Sequence, residues 1–158
     1  MRWNLYSGNL NPTLPYASEV TSASIVTNIP TCLLYAICWH ESIQGEINGS
    51  WIAATVVSAD GGHGLGQLTS SYPENWDDPY SNACWAATYY IIPAAEYWVN
   101  QVTDPGALVK CIAATYNAGL GNAIAGHAQN NVDLYTTNNY GAVVETIYFN
   151  LLTTGNPT

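Results

Sequence analysis

A single carboxylate, Glu41, stands where an ionised side chain is unexpected. At helical spacing it continues an apolar stripe made of Leu33, Leu34, Ile37 and Cys38. Pro30 marks the first turn of this predicted helix, so Glu41 is expected near its C-terminal end. Apolar neighbours and the negative end of the helix dipole both disfavour the ionised form, which predicts a raised pKa. Such a group can act as a general acid near neutral pH; the alternative is a hydrogen-bonded core carboxylate, or one that reaches water.

A glycine-rich segment follows at residues 59–69. Its glycines are Gly61, Gly62, Gly64 and Gly66. This density predicts a loop whose backbone can approach a ligand or a second element closely, with a flexible turn as the alternative. A phosphate cradle is disfavoured, because no lysine follows the glycines and no clear strand precedes them.

Helices are the predicted frame for these residues. Residues 14–28 carry apolar side chains at roughly helical spacing, and a short connection leads from them to the Glu41 helix. Glycines in residues 45–50 are expected to break that helix. Residues 51–57 fit either a short strand or a helical turn.

Two further helices are predicted in the second half of the chain. One covers about residues 80–100, and Pro93 is expected to kink or split it near Ile92. The next begins at Asp104 as the capping residue, with Pro105 in the first turn, and runs to Tyr116.

The glycines of residues 117–122 end that helix, and a last helix is predicted over residues 140–152. The expected fold class is therefore mainly α, with a small loop or β excursion near residues 46–68. We expect one domain over residues 1–158, since this length is typical of a single core.

The charge balance narrows the classes of partner. Two basic residues, Arg2 and Lys110, face eleven acidic ones, and only 8% of the chain is charged. Because no basic surface can form, nucleic-acid binding and attraction to an anionic membrane are disfavoured. No apolar run is long enough for a membrane span. We expect a neutral partner and a monomeric protein.

Four cysteines show neither a close pair nor a histidine at zinc spacing, so no metal and no cofactor are expected. Both free thiols and disulfides remain open for Cys32, Cys38, Cys84 and Cys111. The first residues lack the apolar core of a secretory signal, so either export uses another route or a leader precedes this sequence.

Three short motifs occur in an order that resembles the soluble lytic transglycosylases and the related goose-type lysozymes. They are Glu41-Ser42, GLGQL at residues 64–68 and AATYNAG at residues 113–119. The stretches DPYSN at residues 78–82 and TNNY at residues 137–140 look similar too, so the resemblance covers about residues 14–152.

The resemblance implies a lysozyme-like helical bundle around a sugar-binding cleft. Its members cleave the β-1,4 bond between N-acetylmuramic acid and N-acetylglucosamine in peptidoglycan. The residue that matches Glu41 protonates the leaving oxygen and then deprotonates the muramoyl C6 hydroxyl, which closes a 1,6-anhydro ring. One acid/base suffices, whereas inverting hydrolysis needs a second carboxylate roughly 6.5–9.5 Å away.

The resemblance also implies roles for residues around Glu41. Ser42 would hydrogen-bond near the muramoyl unit, and Tyr116 would hold Glu41 through its hydroxyl, unless it is an ordinary core aromatic. Asn117 would contact the substrate or the loop, and Tyr140 matches a tyrosine of the final motif. The sugar subsites would be lined by Gln67 and by the backbone of Gly64, Leu65 and Gly66.

The sequence departs from the family at two places. Gly66 replaces a residue that is often methionine, which would deepen or loosen a subsite. Residues 42–63 form a longer spacer than in many transglycosylases, nearer the goose-type arrangement. Asp60 lies in this spacer and could position a water for hydrolysis, although a solvent-exposed loop aspartate is the commoner case.

A third possibility is a catalytically silent glycan-binding or virion module with Trp51, Tyr72 and Trp76 as stacking platforms. In every case the expected partner is the peptidoglycan glycan strand. The expected site of action is the cell wall or periplasm, reached by a phage-encoded or secreted protein.

Overall fold

The helix that carries Glu41 is central to the fold. In the computed structural model, which describes Trp3 and residues 5–158, it consists of α2 (Thr31–Cys38), a π-helical turn (Trp39–Ile43) and α3 (Gln44–Ile47). Pro30 precedes it as the N-cap and is not in the first turn. Glu41 therefore lies inside a helix that includes Gly45 and ends at Ile47, within the break predicted over residues 45–50.

Every residue of α2 is buried, so the apolar stripe is not one face of an amphipathic helix but part of a helix enclosed on all sides. A π turn accommodates an extra residue and often occurs at functional sites. Here it contains Glu41 itself.

Six further α-helices complete the helical fold of the described residues. They are α1 (Ala17–Thr27), α4 (Pro79–Ala86), α5 (Ile92–Trp98), α6 (Pro105–Ala118), α7 (Leu120–Ala128) and α8 (Tyr140–Thr154). Helix α8 packs against α2 and α6, while α1 packs against α2 and α4. The mainly α fold predicted from the sequence is confirmed.

Proline and aspartate set several helix boundaries as predicted. A π turn (Ala87–Ile91) separates α4 from α5 directly before Pro93, which lacks an amide proton and crowds the preceding turn. Asp104 caps α6 by accepting a hydrogen bond from the Ala107 amide at 2.8 Å.

Helix α7 was not predicted. Gly119, with φ +82°, ends α6 as expected, but α7 begins at the next residue and includes Gly121 and Gly126. A Cβ at Gly126 would lie 2.5 Å from the Asn131 carbonyl oxygen, so glycine permits the following chain to pack closely against α7.

The segment between Ile47 and Pro79 is irregular. Two isolated antiparallel bridges, Val57 with His63 and His63 with Leu68, are its β content. Residues 53–55 form a turn in which the Thr55 and Val56 amides bond to the Ile52 carbonyl, at 3.1 and 3.0 Å. Of the two alternatives for residues 51–57, the structure therefore has the helical turn, and only Val57 takes part in a bridge. The predicted loop over residues 59–69 is confirmed.

Met1, Arg2 and Asn4 lie outside the described residues. They belong to the N-terminal segment that lacks the apolar core of a secretory signal. Over Trp3 and residues 5–158, none of the helices combines the length and apolar character needed to cross a bilayer.

Candidate active site

A cavity with a volume of about 470 Å³ opens beside the Glu41 side chain. The glycine-rich loop, the segment before it and the end of α6 form its walls. Its lining residues are Glu41, Trp51, Val56, Val57, Ser58, Ala59, Asp60, Gln67, Thr69, Tyr116 and Asn117.

Glu41 is partly buried in this wall, and Tyr140 donates a hydrogen bond to its Oε1 atom at 2.5 Å. The pKa of Glu41 is raised from 4.5 to about 7, mainly because burial penalises the ionised carboxylate. The Tyr140 hydroxyl lowers the pKa in part, and the negative charge of Asp60 raises it. The predicted direction is thus confirmed, and its leading cause is burial.

The tyrosine assigned to Glu41 from the motif was the wrong one. Tyr116 donates its hydroxyl proton to the Gly66 carbonyl oxygen at 2.5 Å, while Tyr140, from the start of α8, contacts Glu41. Tyr116 still lines the cavity, so it shapes the cleft and secures the loop without holding the carboxylate.

This arrangement predicts the effect of Tyr140→Phe. Without the hydroxyl, the ionised carboxylate loses a stabilising hydrogen bond, so the pKa of Glu41 should rise above its present value. Activity that requires protonated Glu41 should then persist to higher pH. The pH profile of kcat/KM measures this shift. Tyr116→Phe is the matched control, and an equal shift in both variants would contradict the assignment.

Ser42 has a structural position, contrary to the expectation that it meets the sugar. Its side chain is buried and donates to the Leu65 carbonyl oxygen at 2.7 Å. Leu65 is itself fully buried. This bond links the Glu41 helix to the glycine-rich loop, so the buried Ser42 and Leu65 position the cleft wall.

The glycines of the loop permit close packing against the protein. Gly64 is buried, and a Cβ there would lie 2.6 Å from Asn82 Nδ2. A Cβ at Gly66 would lie 2.9 Å from the Tyr116 hydroxyl. The absence of methionine at Gly66 therefore opens no subsite, because Tyr116 and Asn82 occupy the space around it.

Gln67, Asp60 and Asn117 line the cavity, and their contact with a substrate stays a prediction. Gln67 adopts a positive φ of 49° and donates its side-chain amide to the Gly64 carbonyl at 2.8 Å. Asn117 accepts a hydrogen bond from the Thr137 amide at 3.0 Å, which links the end of α6 to the turn before α8.

Asn82 was missed as a residue of this region. It is fully buried, accepts from the Gly66 amide at 2.8 Å, and donates to the carbonyls of His63 and Trp76. The Asn82 side chain thus fixes the glycine-rich loop through hydrogen bonds to its backbone. The sequence signal that could have identified Asn82 is the DPYSN stretch, of which it is the last residue.

Asp133 was also missed, and it positions Tyr140. This buried carboxylate accepts hydrogen bonds from the amides of Gly141 and Ala142, at 2.7 and 2.9 Å, in the first turn of α8. Lys110 lies 3.5 Å away as its ion-pair partner. Because a carboxylate is stabilised at a helix N-terminus, Asp133 anchors the helix end that begins with Tyr140.

Of the three proposed stacking platforms, Trp51 alone lines the cavity. Its indole donates to the Ser42 carbonyl at 2.8 Å, and its side chain remains 44% exposed. Tyr72 and Trp76 instead pack on His63, with ring centroids 4.0 and 4.9 Å from the imidazole.

All four cysteines are free thiols. Within the described residues, no three His, Cys, Asp or Glu side chains come together as a metal site. The chain matches no protein-family model and no curated protein.

Proposed function

We propose that this protein is a lytic transglycosylase that cleaves the N-acetylmuramic acid–N-acetylglucosamine bond of peptidoglycan glycan strands. The observation that carries the proposal is the state of Glu41: a partly buried carboxyl group on a cavity wall, with a pKa raised to about 7. A general acid near neutral pH needs this property. The proposed site of action is the cell wall or periplasm, and the proposed active species is the monomer.

In the proposed reaction, protonated Glu41 gives its proton to the glycosidic oxygen as the bond to muramoyl C1 breaks. The resulting carboxylate is stabilised by the Tyr140 hydroxyl. It then removes the proton from the C6 hydroxyl, whose oxygen bonds to C1. Glu41 is protonated again, and the products are a free N-acetylglucosamine hydroxyl and a 1,6-anhydro end, without consumption of water.

Product analysis tests this proposal. Digestion of purified peptidoglycan followed by mass spectrometry should yield anhydro-muramoyl ends, each one water lighter than the hydrolysis product. Reducing muramic acid ends would contradict the transglycosylase reaction. The absence of any cleavage by a folded protein would instead favour the glycan-binding module, for which Trp51 supplies an exposed aromatic surface.

Hydrolysis is the second candidate because Asp60 lies in the same cavity. A hydrogen bond from Ser58 is the main cause of its lowered pKa, so Asp60 is ionised at neutral pH and able to accept a proton from water.

Asp60→Asn distinguishes the two reactions. For the transglycosylase, we expect the anhydro product to persist. The alkaline limb of the kcat/KM profile should move to lower pH, because a negative charge that raises the pKa of Glu41 is removed. A loss of cleavage of about 100-fold or more, together with reducing-end products from the wild type, would establish the hydrolase instead.

A further inference from the structure

A second groove lies outside the cleft, along α4 and the π turn that follows it. Its volume is about 360 Å³. It is lined by Pro73, Asn75, Tyr80, Ser81, Cys84, Trp85, Thr88 and Tyr89. None of these residues lines the cavity beside Glu41, and none is used by the proposed reaction.

The groove presents an aromatic surface to solvent. The rings of Trp85 and Tyr89 have centroids 4.3 Å apart at an interplanar angle of 40°. Tyr89 is 56% exposed and Tyr80 is 37% exposed. Exposed apolar side chains that form a contiguous patch are a mark of interaction sites on protein surfaces.

The polar groups of the groove are neutral. Asn75, Ser81 and Thr88 provide amide and hydroxyl groups, and the lining contains no carboxylate or basic side chain. A chain with a formal charge of −9 and no cation in this groove does not favour an anionic ligand. Aromatic faces beside neutral hydrogen-bonding groups suit an uncharged sugar, whose C–H faces stack on rings while its hydroxyls find partners.

A short path connects this groove with the cleft. Thr69 lines the cleft, and Ser71 accepts a hydrogen bond from the Trp85 indole at 3.3 Å. The Tyr90 hydroxyl bonds to the Ser71 backbone, and its ring lies 5.6 Å from that of Tyr116 on the cleft wall. Two residues of extended chain span at most about 7 Å. Thr69 on the cleft wall and Ser71 beside Trp85 are therefore close together, which places the groove near that edge of the cleft.

We propose that the Trp85–Tyr89 groove is a second glycan-binding site, which takes an uncharged β-1,4-linked N-acetylglucosamine-containing segment of the polymer held in the cleft. The choice of polymer rests on the proposed function. Such a site holds the protein on an insoluble strand while the cleft acts on it, so its loss should affect polymer binding more than cleavage of short fragments.

Binding in the Glu41→Gln background tests the site without cleavage. Retention on purified sacculi, and affinity for soluble N-acetylglucosamine oligosaccharides, should each fall at least about fivefold for Trp85→Ala and for Tyr89→Ala, as for a buried aromatic contact. Tyr6→Ala is the matched control, since Tyr6 is 74% exposed and far along the chain from the groove. Retention should not fall as salt is added, because the uncharged lining of the groove forms no ion pair that salt could screen.

Equal binding by Tyr89→Ala and Tyr6→Ala would overturn the second site, as would binding that disappears at high salt. Thermal unfolding of each variant separates lost contacts from lost fold, and the largely exposed Tyr89 is the safer substitution. If the wild type cleaves peptidoglycan and the groove variants bind normally, the groove proposal is contradicted while the proposed function stands. If nothing is cleaved, the oligosaccharide measurement still decides on the groove.

Discussion

Glu41→Gln is expected to lower the rate of glycan cleavage by about 100- to 10,000-fold, the usual contribution of a positioned acid or base. Glutamine keeps the shape of the side chain and an oxygen to accept the Tyr140 hydrogen bond, but it has no proton to donate to the leaving oxygen. Clearing of a cell-wall suspension by wild type and variant measures the effect. Equal clearing would remove Glu41 from the reaction.

The same substitution should not weaken the fold. The pKa of Glu41 is about 7 in the folded protein and 4.5 ordinarily, so between these pH values the native state binds more protons than the unfolded state. The free energy of unfolding therefore falls as pH rises through this window, by on the order of 3 kcal/mol in total. Because glutamine does not ionise, the Glu41→Gln variant does not lose this part of its free energy of unfolding as pH rises.

Denaturant unfolding at two pH values checks this account. At pH 8 the Glu41→Gln variant should be as stable as the wild type or more stable, and the difference should shrink below about pH 4, where both side chains are neutral. A variant that is inactive and much less stable at pH 8 would indicate a structural carboxylate and not an acid kept protonated by burial.

Asp133→Ala is expected to reduce the stability by about 2–5 kcal/mol, because it leaves the amides of Gly141 and Ala142 without their acceptor. Lys110 is partly exposed and can return to water, so the lost ion pair adds less. Activity should also fall at temperatures where the variant remains folded, since the first turn of α8 carries Tyr140.

The matched control is Asp77→Ala, an exposed aspartate for which a change within about 0.5 kcal/mol is expected. The pH profile supplies a readout that general destabilisation does not move. If Tyr140 is displaced, the alkaline limb should shift upward as in Tyr140→Phe. An unchanged profile in a folded Asp133→Ala protein would show that α8 keeps Tyr140 in place without this anchor.

Local chemistry made much of the helical frame predictable. Asp104 and Pro105 mark the start of α6 because a capping carboxylate and a fixed φ act within one turn. Pro93 marks the division of the long helix for an equally local reason. Helix α7 was not predicted because it contains two glycines. Gly126 is explained by packing against residues 131–132, a contact that the sequence does not display, while nothing in the structure explains Gly121.

Tertiary packing also explains why the Glu41 helix continues through Gly45 before it ends at Ile47. Gly45 has a low intrinsic helix propensity, but the Trp51 ring covers it so closely that a Cβ there would lie 2.1 Å from the ring. Tertiary packing therefore requires glycine at this place and keeps the helix intact. The π turn at Trp39–Ile43 likewise has no counterpart in apolar periodicity.

The sequence by itself determined the mainly helical fold, the glycine-rich loop and the choice of Glu41 as an unusual carboxylate, since propensity, caps and periodicity depend on near neighbours. Tertiary structure decided which groups surround that carboxylate. Tyr140 donates a hydrogen bond to Glu41, from which it is separated by 99 positions in the sequence, whereas Tyr116 and Ser42 bond to the glycine-rich loop. Such pairings depend on how α8 and α6 pack on α2, and this packing is a property of the whole core.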